Sequence, residues 1–204
     1  MSYFNLVFNS AFQILLFTLI PLVWWLLISK REAGFFSWIG IKKPAITDKS
    51  KYLIVFIGIL GFMPLAFFLI SIFLQNSSDL ATAQFAGLGI SFLPAAFIYG
   101  FLQTGLPEEI LFRGFLTKRF ISRYGFLKGN NIQAVIFGAV HGILFFAIYS
   151  WYWVIIIIAY STIIGWLMGY MNEKLSSGSI ISSWLAHGMV NTLMAFITMM
   201  GVIG

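Results

Sequence analysis

The chain has 204 residues, of which 60% are apolar and 9% are charged, with a formal net charge of +6. Soluble globular domains carry about 25% charged residues, so this composition excludes a soluble globule and predicts a protein that lies in a lipid bilayer. Cysteine is absent, which excludes disulfide bonds, thiolate nucleophiles and zinc sites built on cysteine.

Six apolar runs have the length of about 17–25 residues that a helix needs to cross a bilayer. The first run is longer than the apolar part of a signal peptide and has no evident small-residue cleavage site, so we expect it to be retained. The sequence predicts an all-α membrane protein, a single polytopic domain over residues 1–204 that forms a bundle of about six transmembrane helices. The predicted spans are approximately 6–28, 52–74, 91–116, 131–148, 151–171 and 180–203.

Basic residues alternate between the connections. The second connection, from Gln75 to Ile90, and the fourth contain no lysine or arginine, so the positive-inside rule places the other three in the cytoplasm and both termini outside. We interpret the net positive charge as a topology signal and as a contact with anionic lipid head groups, and we expect no nucleic-acid partner. The basic residues of the first, third and fifth connections are Lys30, Arg31, Lys42, Lys43, Lys49, Lys51, Lys118, Arg119, Arg123, Lys128 and Lys174.

Ionisable side chains inside a bilayer lose their hydration, and they indicate a functional site. Glu109, His141 and His187 lie on three different predicted spans, each nine or ten residues from the cytoplasmic end of its helix. At about 1.5 Å per residue, all three lie about 14–15 Å into the membrane. The pattern predicts one polar site in the cytoplasmic half of the bundle.

The spacing within two of these helices adds further polar groups to that site. Residues four apart share a helix face, so Glu109 can pair with Arg113, and His187 lies beside Asn191. Glu108 is rotated by about 100° from its neighbour. It can therefore face a cavity while the arginine holds Glu109.

Pro107 precedes the two glutamates and cannot donate a hydrogen bond to the carbonyl of Gln103. We expect the third helix to kink or restart there. A restart would place Glu108 and Glu109 in the first turn of a half-helix, where the backbone dipole favours carboxylates.

Two carboxylates, two imidazoles, an amide and a guanidinium are sufficient for hydrolysis. A glutamate can take a proton from water and return it to a leaving amine. Imidazoles can orient that water or polarise a carbonyl group, and an asparagine can donate to a developing oxyanion. The same groups could also relay protons, and the residues alone do not separate these two functions.

Three motifs occur in order on separate predicted spans: Glu108-Glu109-x-x-x-Arg113, Phe137-x-x-x-His141 and His187-x-x-x-Asn191. Together they resemble the signature of the CPBP family, the intramembrane proteases that include the CAAX prenyl endopeptidases and the bacterial bacteriocin-immunity (Abi) proteins. The resemblance covers approximately residues 94–195, and the N-terminal half carries no motif that we can assign.

The resemblance implies a role for each motif residue. Glu108 would activate the attacking water, while Glu109 and Arg113 would shape the site. The two histidines would orient the water or bind a metal ion, the asparagine would stabilise the oxyanion, and Phe137 would only pack. The catalytic residues implied in this way are Glu108, Glu109, Arg113, His141, His187 and Asn191.

A zinc ion is one interpretation of the same groups. The imidazoles of His141 and His187 and the carboxylate of Glu108 would supply three of the four zinc ligands and leave the fourth position for water. Glutamate and histidine could also act without a metal ion. The sequence leaves both options open.

The polar residues and the glycines also have structural interpretations. Glu109 and Arg113 could form a clamp, the histidines could be interhelical hydrogen-bond partners, and Asn191 could join two helices. The glycines at positions 138, 142, 165, 169 and 188 are more typical of close helix packing than of chemistry.

Other protease mechanisms fit less well. Ser183 lies four residues before His187 and could form a dyad with it, although no nucleophile-elbow motif surrounds it. An aspartyl protease needs paired aspartates, yet Asp48 and Asp79 both lie in predicted loops. The His-Glu-x-x-His motif of zinc proteases is absent.

We therefore expect an intramembrane endopeptidase whose active site faces the cytoplasm, in a multi-pass protein of a bacterial cell membrane. The substrate would be a peptide or protein; prenylated CAAX peptides, bacteriocin or pheromone precursors and membrane anchors of regulators are all compatible. The alternative is a non-catalytic immunity or interaction protein of the Abi type, which would bind a membrane-active peptide. A proton-linked transporter is disfavoured, because the titratable groups lie at one level and not in a chain across the membrane.

Overall fold

The computed structural model describes residues 2–30, 33–73, 81–147 and 149–201, with the backbone alone for residues 66–73. These residues form helices joined by turns and short connections, and this described part of the chain contains no β-strand. The all-α prediction is confirmed. The helices are α1 Tyr3–Ser29, α2 Phe35–Trp38, α3 Lys49–Phe73, α4 Ile90–Tyr124, α5 Phe126–Phe145, α6 Trp151–Leu175 and α7 Ile181–Met199, and a 3-10 turn, Ala83–Phe85, precedes α4.

Each predicted span overlaps one long helix among the described residues. Within the described residues, α1, α4 and α6 are long and apolar enough to cross a membrane. The other three, α3, α5 and α7, contain 25, 20 and 19 residues. Membrane crossing by these three stays a prediction, as does the cytoplasmic position of the polar site.

Some predicted features lie outside the described residues. They are Arg31 and Asp79, the part of the second connection at positions 75–80, and the last residues of three predicted spans, at 74, 148 and 202–203.

Helix α4 is the centre of the arrangement, since it contacts α1, α5, α6 and α7. Helices α5 and α6 pack closely against each other, and α3 packs against α6 and α7. The three motifs therefore lie on α4 and on two of its direct neighbours, α5 and α7.

Two segments of α4 are wound more widely than an α-helix. The chain forms π-helix over Ile98–Gly105 and again over Glu109–Thr117, with one α-helical turn, Leu106–Glu108, between them. π-Helical turns occur at functional sites, and they accommodate interruptions of the normal hydrogen-bond pattern. The interruption here is Pro107, which lies in the middle turn.

The helix does not restart at the proline. The backbone angles of Gly105, Glu108 and Glu109 all lie in the right-handed helical region, so the winding continues through this part of α4. The expectation that the two carboxylates occupy the first turn of a half-helix is wrong. Their charge must be stabilised by side chains and not by a helix terminus.

Glycines allow α5 and α6 to approach closely, as predicted. A Cβ atom at Gly138 would lie 2.5 Å from the carbonyl oxygen of Ile158, and one at Gly165 would lie 3.3 Å from the Cα of Ala134. The glycines four residues further along each helix are similarly close to the partner helix. Small residues at this spacing are typical of tightly packed membrane helices.

The connection after α2 is fastened to the α6–α7 loop. The N–H of Ile180 donates to the Gly40 carbonyl at 2.9 Å, and the Ser179 hydroxyl donates to the Lys42 carbonyl at 2.5 Å. Gly40 has a φ of +84°, and a Cβ there would lie 2.5 Å from the Gly178 carbonyl oxygen, so the position requires glycine. These bonds fix the start of α7, which carries the third motif.

Gly138→Ala is expected to destabilise the bundle, because the added methyl group would meet the backbone of Ile158 and the side chain of Thr162. Overpacking of this kind lowers the free energy of unfolding by about 1–3 kcal/mol. Gly58→Ala is the matched control, since Gly58 lies within α3 and an added Cβ would have nothing within 4 Å. Reversible unfolding in mixed micelles measures both variants, and equal stability would contradict the α5–α6 packing.

Candidate active site

The Glu109 carboxylate is fully buried and is surrounded by three donor side chains. Its Oε1 lies 3.2 Å from Arg113 Nη1 and 3.1 Å from His187 Nδ1. The hydroxyl of Ser183 donates to its Oε2. A carboxylate shielded from water keeps its charge only when its oxygens are paired in this way. Glu109 therefore joins α4 to α7.

Arg113 is also fully buried, and it has aromatic and sulfur contacts in addition to Glu109. Its guanidinium lies 4.0 Å from the centre of the Phe137 ring, and its Nη2 lies 3.2 Å from Met168 Sδ. The expectation that Phe137 only packs is too narrow, because its ring makes a cation–π contact with the guanidinium. The Glu109–Arg113 pair has no net charge and connects α4 to α5 and α6.

Glu108 has a different environment from its neighbour. Its Oε2 lies 3.8 Å from His141 Nε2 and 3.9 Å from His187 Nε2. This oxygen has no hydrogen-bond partner among the described atoms. The Glu108 side chain is 23% exposed, against 0% for Glu109. The unpaired Glu108 oxygen therefore lies buried between His141 of α5 and His187 of α7, while the side chain as a whole is partly exposed.

Hydrogen bonds at Nδ1 determine which nitrogen of each imidazole faces Glu108. His141 Nδ1 lies 2.9 Å from the Phe137 carbonyl oxygen, and His187 Nδ1 lies 3.1 Å from Glu109 Oε1. Both oxygens act as acceptors, so each Nδ1 carries the proton. In the neutral imidazoles, both Nε2 atoms present a lone pair towards Glu108.

Three hydrogen-bond acceptors thus converge on one space, the two Nε2 atoms and the Glu108 carboxylate. The separations of 3.8 and 3.9 Å are longer than a direct hydrogen bond of about 2.7–3.2 Å. A water molecule between these groups could donate one proton to the carboxylate and the other to an imidazole. The geometry therefore suits a water that is polarised from two sides.

Glu108, His141 and His187 are the residues that could hold a metal ion. Two ligand atoms of a tetrahedral zinc ion lie about 3.4 Å apart, which is less than the 3.8 and 3.9 Å found between Glu108 and the two imidazoles. Over the ranges that the structure describes, no group of three or more His, Cys, Asp or Glu side chains is arranged to hold a metal ion. The three side chains do not fit a preformed zinc site.

Asn191 lies one turn after His187 on α7 and is half-buried. Its Nδ2 donates to Thr104 Oγ1 at 2.7 Å, and Thr104 lies one turn before Glu108 on α4. The amide is therefore next to the site, but its hydrogen-bond partner is a hydroxyl. The other five predicted residues lie within 3.1–3.9 Å of one another in a chain of contacts, and Glu109–Arg113 is the ion pair among them. Asn191 is bonded to Thr104 and not to any of the five.

The Ser183 hydroxyl, considered above as a nucleophile, points to Glu109. It donates to Glu109 Oε2 and accepts a hydrogen bond from Asn172 Nδ2 at 2.7 Å. Ser183 is fully buried, so it cannot reach a substrate carbonyl. The serine–histidine dyad alternative is wrong.

Sequence reasoning missed three residues that contact the motif side chains or their partners. Thr104 lies four residues before Glu108, so its place on the same helix face could have been found from spacing. Met168 and Asn172 lie on α6, which carries none of the three motifs. No periodicity or charge pattern distinguishes them from packing residues.

These features define a helical membrane protein with a glutamate between two imidazoles inside its bundle. Residues 90–193 match the sequence model of the family described as type II CAAX prenyl endopeptidase Rce1-like, and the match covers just over half of the chain. The chain belongs to this Rce1-like family, which confirms the resemblance seen in the three motifs. Membership implies an intramembrane protease that acts on a peptide or protein. No curated protein and no solved structure matches the chain.

Arg113→Gln is expected to lower the free energy of unfolding by about 3–5 kcal/mol, because it leaves the buried Glu109 charge uncompensated. The matched control is Arg123→Gln, an exposed arginine on the same helix, for which the change should be within about 0.5 kcal/mol. Both values can be measured by reversible unfolding in mixed micelles. Equal stability of the two variants would show that Glu109 does not depend on Arg113.

Proposed function

We propose that the protein is an intramembrane endopeptidase in which Glu108 activates a water molecule held between His141 and His187. The observation that carries this proposal is the position of Glu108 Oε2, 3.8 and 3.9 Å from the two Nε2 atoms. A carboxylate with an oxygen that has no hydrogen-bond partner can take a proton from water during a reaction. A buried and paired one, such as Glu109, is fixed in its charged form.

The first step is the attack of water on the scissile carbonyl. The water donates one hydrogen bond to Glu108 and one to an imidazole Nε2, which turns a lone pair of its oxygen towards the substrate. As the new C–O bond forms, one water proton passes to Glu108 and the carbonyl electrons move to the oxygen. The product is a tetrahedral intermediate with one negative oxygen.

In the proposed mechanism, Asn191 stabilises that oxygen. Its amide has two N–H donors, and Thr104 accepts one of them. The second N–H can be directed at the developing negative charge, a contact that typically contributes about 10²–10³-fold to the rate. Glu108 then returns its proton to the amine as the C–N bond breaks, which regenerates the carboxylate.

Glu109 and Arg113 support this chemistry without taking part in proton transfer. The Glu109 carboxylate holds Nδ1 of His187 and so keeps the Nε2 lone pair directed at the water. Arg113 keeps that carboxylate charged. In this proposal both residues are positioning residues, and the clamp considered for them from sequence is part of the catalytic site.

We also propose that six helices cross the membrane and that the substrate enters from the cytoplasmic side. Lys118 and Arg119 follow Glu109 on α4, and Lys174 lies at the end of α6, so basic residues mark the end of the bundle nearest to the site. The family description names CAAX prenyl endopeptidases, which supports a prenylated CAAX peptide as the first substrate to test. Bacteriocin and pheromone precursors are the next candidates.

Glu108→Gln is expected to reduce kcat for peptide hydrolysis by about 10²–10⁴-fold, the usual contribution of a general base. Folding should be retained, because the amide has the same shape and the Glu109 network is unchanged. Glu173→Gln is the matched control, since Glu173 is a half-buried carboxylate that pairs with Lys118. Its activity should stay at the wild-type level. Wild-type turnover by Glu108→Gln would refute the assigned base.

Removal of metal ions is expected to leave hydrolysis unchanged, because the proposed mechanism needs water, a carboxylate and two imidazoles. Elemental analysis of purified protein should find zinc well below one ion per chain. Activity is then compared before and after chelation. Loss of activity on chelation, with recovery on adding one equivalent of zinc, would contradict this mechanism and favour the zinc alternative.

A further inference from the structure

Two buried residues extend the Glu109 network beyond the three motifs. Asn172, near the end of α6, and Ser183, near the start of α7, are both fully buried. The Asn172 amide contacts Ser183 twice, with Nδ2 at 2.7 Å from Ser183 Oγ and Oδ1 at 3.2 Å from the Ser183 backbone nitrogen. The Ser183 hydroxyl in turn contacts Glu109 Oε2.

The direction of these hydrogen bonds follows from the backbone. The Ser183 N–H is one of the free donors in the first turn of α7 and needs an acceptor, so Asn172 Oδ1 faces it and Nδ2 faces the hydroxyl. The Ser183 oxygen therefore accepts, and its single proton is left for an acceptor. The Ile180 carbonyl lies within reach at 3.1 Å, but the ionised carboxylate of Glu109 is the stronger partner.

Ser183 occupies the side of Glu109 that the other donors leave free. Arg113 and His187 both contact Oε1, and within the described residues Oε2 has Ser183 as its partner. A carboxylate that is held at both oxygens has one orientation. If it were held at Oε1 alone it could rotate, and His187 would lose a fixed acceptor for its Nδ1 proton.

We propose that Ser183 and Asn172 are positioning residues that lock the Glu109 carboxylate and thereby set the tautomer and direction of the His187 imidazole. This inference rests on the proposed function, since the imidazole matters because it faces Glu108. Neither residue belongs to a motif, and both act through Glu109. The Ser183 hydroxyl is thus assigned to orienting Glu109 and not to nucleophilic attack.

Ser183→Ala removes the hydroxyl with little change in volume, and Ser183→Thr restores a donor. Ser182→Ala is the matched control, because Ser182 is equally buried in the same turn but bonds to Tyr52 and Ser176. Ser183→Ala should lower kcat by about tenfold to a hundredfold, the equivalent of one hydrogen bond to a charged group. KM should be unchanged, Ser183→Thr should recover most of kcat, and Ser182→Ala should behave as wild type.

The effect of Ser183 should disappear once Glu109 is neutral. In a Glu109→Gln background, Ser183→Ala is expected to cause no further loss of kcat, because two residues of one network are not additive. The same loss in both backgrounds, a change confined to KM, or an equal loss in Ser182→Ala would each overturn the proposal. If Ser183→Ala does not fold, Ser183→Cys, with its weaker donor, takes its place.

A spectroscopic readout separates this proposal from the proposed function. The chain contains two histidines, so 15N-histidine NMR gives two pairs of ring-nitrogen signals, Nδ1 and Nε2 of each imidazole, which a His141→Gln variant assigns. His187 should be protonated at Nδ1 in the wild type and in Ser182→Ala, and should show mixed tautomers in Ser183→Ala. An unchanged His187 signal in Ser183→Ala overturns the inference whatever the activity. Full activity of Glu108→Gln, by contrast, refutes the proposed function alone.

Discussion

A carboxylate with no access to water must be neutralised inside the protein, and the way in which Glu109 is neutralised determines the rest of the site. Its partners come from two helices, with Arg113 on its own helix and His187 and Ser183 on α7. An uncompensated charge at this depth would cost several kcal/mol, so these helices can separate only at that cost. The same contacts orient an imidazole. Structural stability and the alignment of the site therefore depend on a single ion-pair network.

Adjacent glutamates acquire different properties because the helix turns them to different surroundings. Glu109 points into the bundle and is fully paired, whereas Glu108 Oε2 lies 3.8 and 3.9 Å from two Nε2 atoms without a hydrogen bond. The wide winding of α4 around Pro107 sets this arrangement without ending the helix. One carboxylate is thus held by three donor side chains, and the other has an oxygen without a hydrogen-bond partner, which is why the proposed mechanism assigns the base to Glu108.

Much of the fold and of the candidate site could be predicted from the sequence. The face of a helix on which a residue lies, and its depth in the membrane, both follow from its position along the helix. The Glu109–Arg113 pair, the separate orientation of Glu108 and the glycine contacts between α5 and α6 all follow from residue spacing. The continuous winding through Pro107 could not be predicted, since a proline permits both a break and a π-helical turn. The roles of Ser183 and Asn172 depend on how α6 and α7 meet, and no repeated spacing or charge pattern marks either residue as part of that contact. The membrane topology still rests on the alternation of basic residues.

The central claim is that Glu108, His141 and His187 surround one water-sized space, with both imidazoles protonated at Nδ1. The most direct test is an experimental structure of the protein in lipid at a resolution that shows ordered water. The account predicts one water within about 2.7–3.2 Å of Glu108 Oε2 and of at least one Nε2 atom. Hydrocarbon side chains filling that space, or the glutamate and the imidazoles turned to different sides of the bundle, would contradict it.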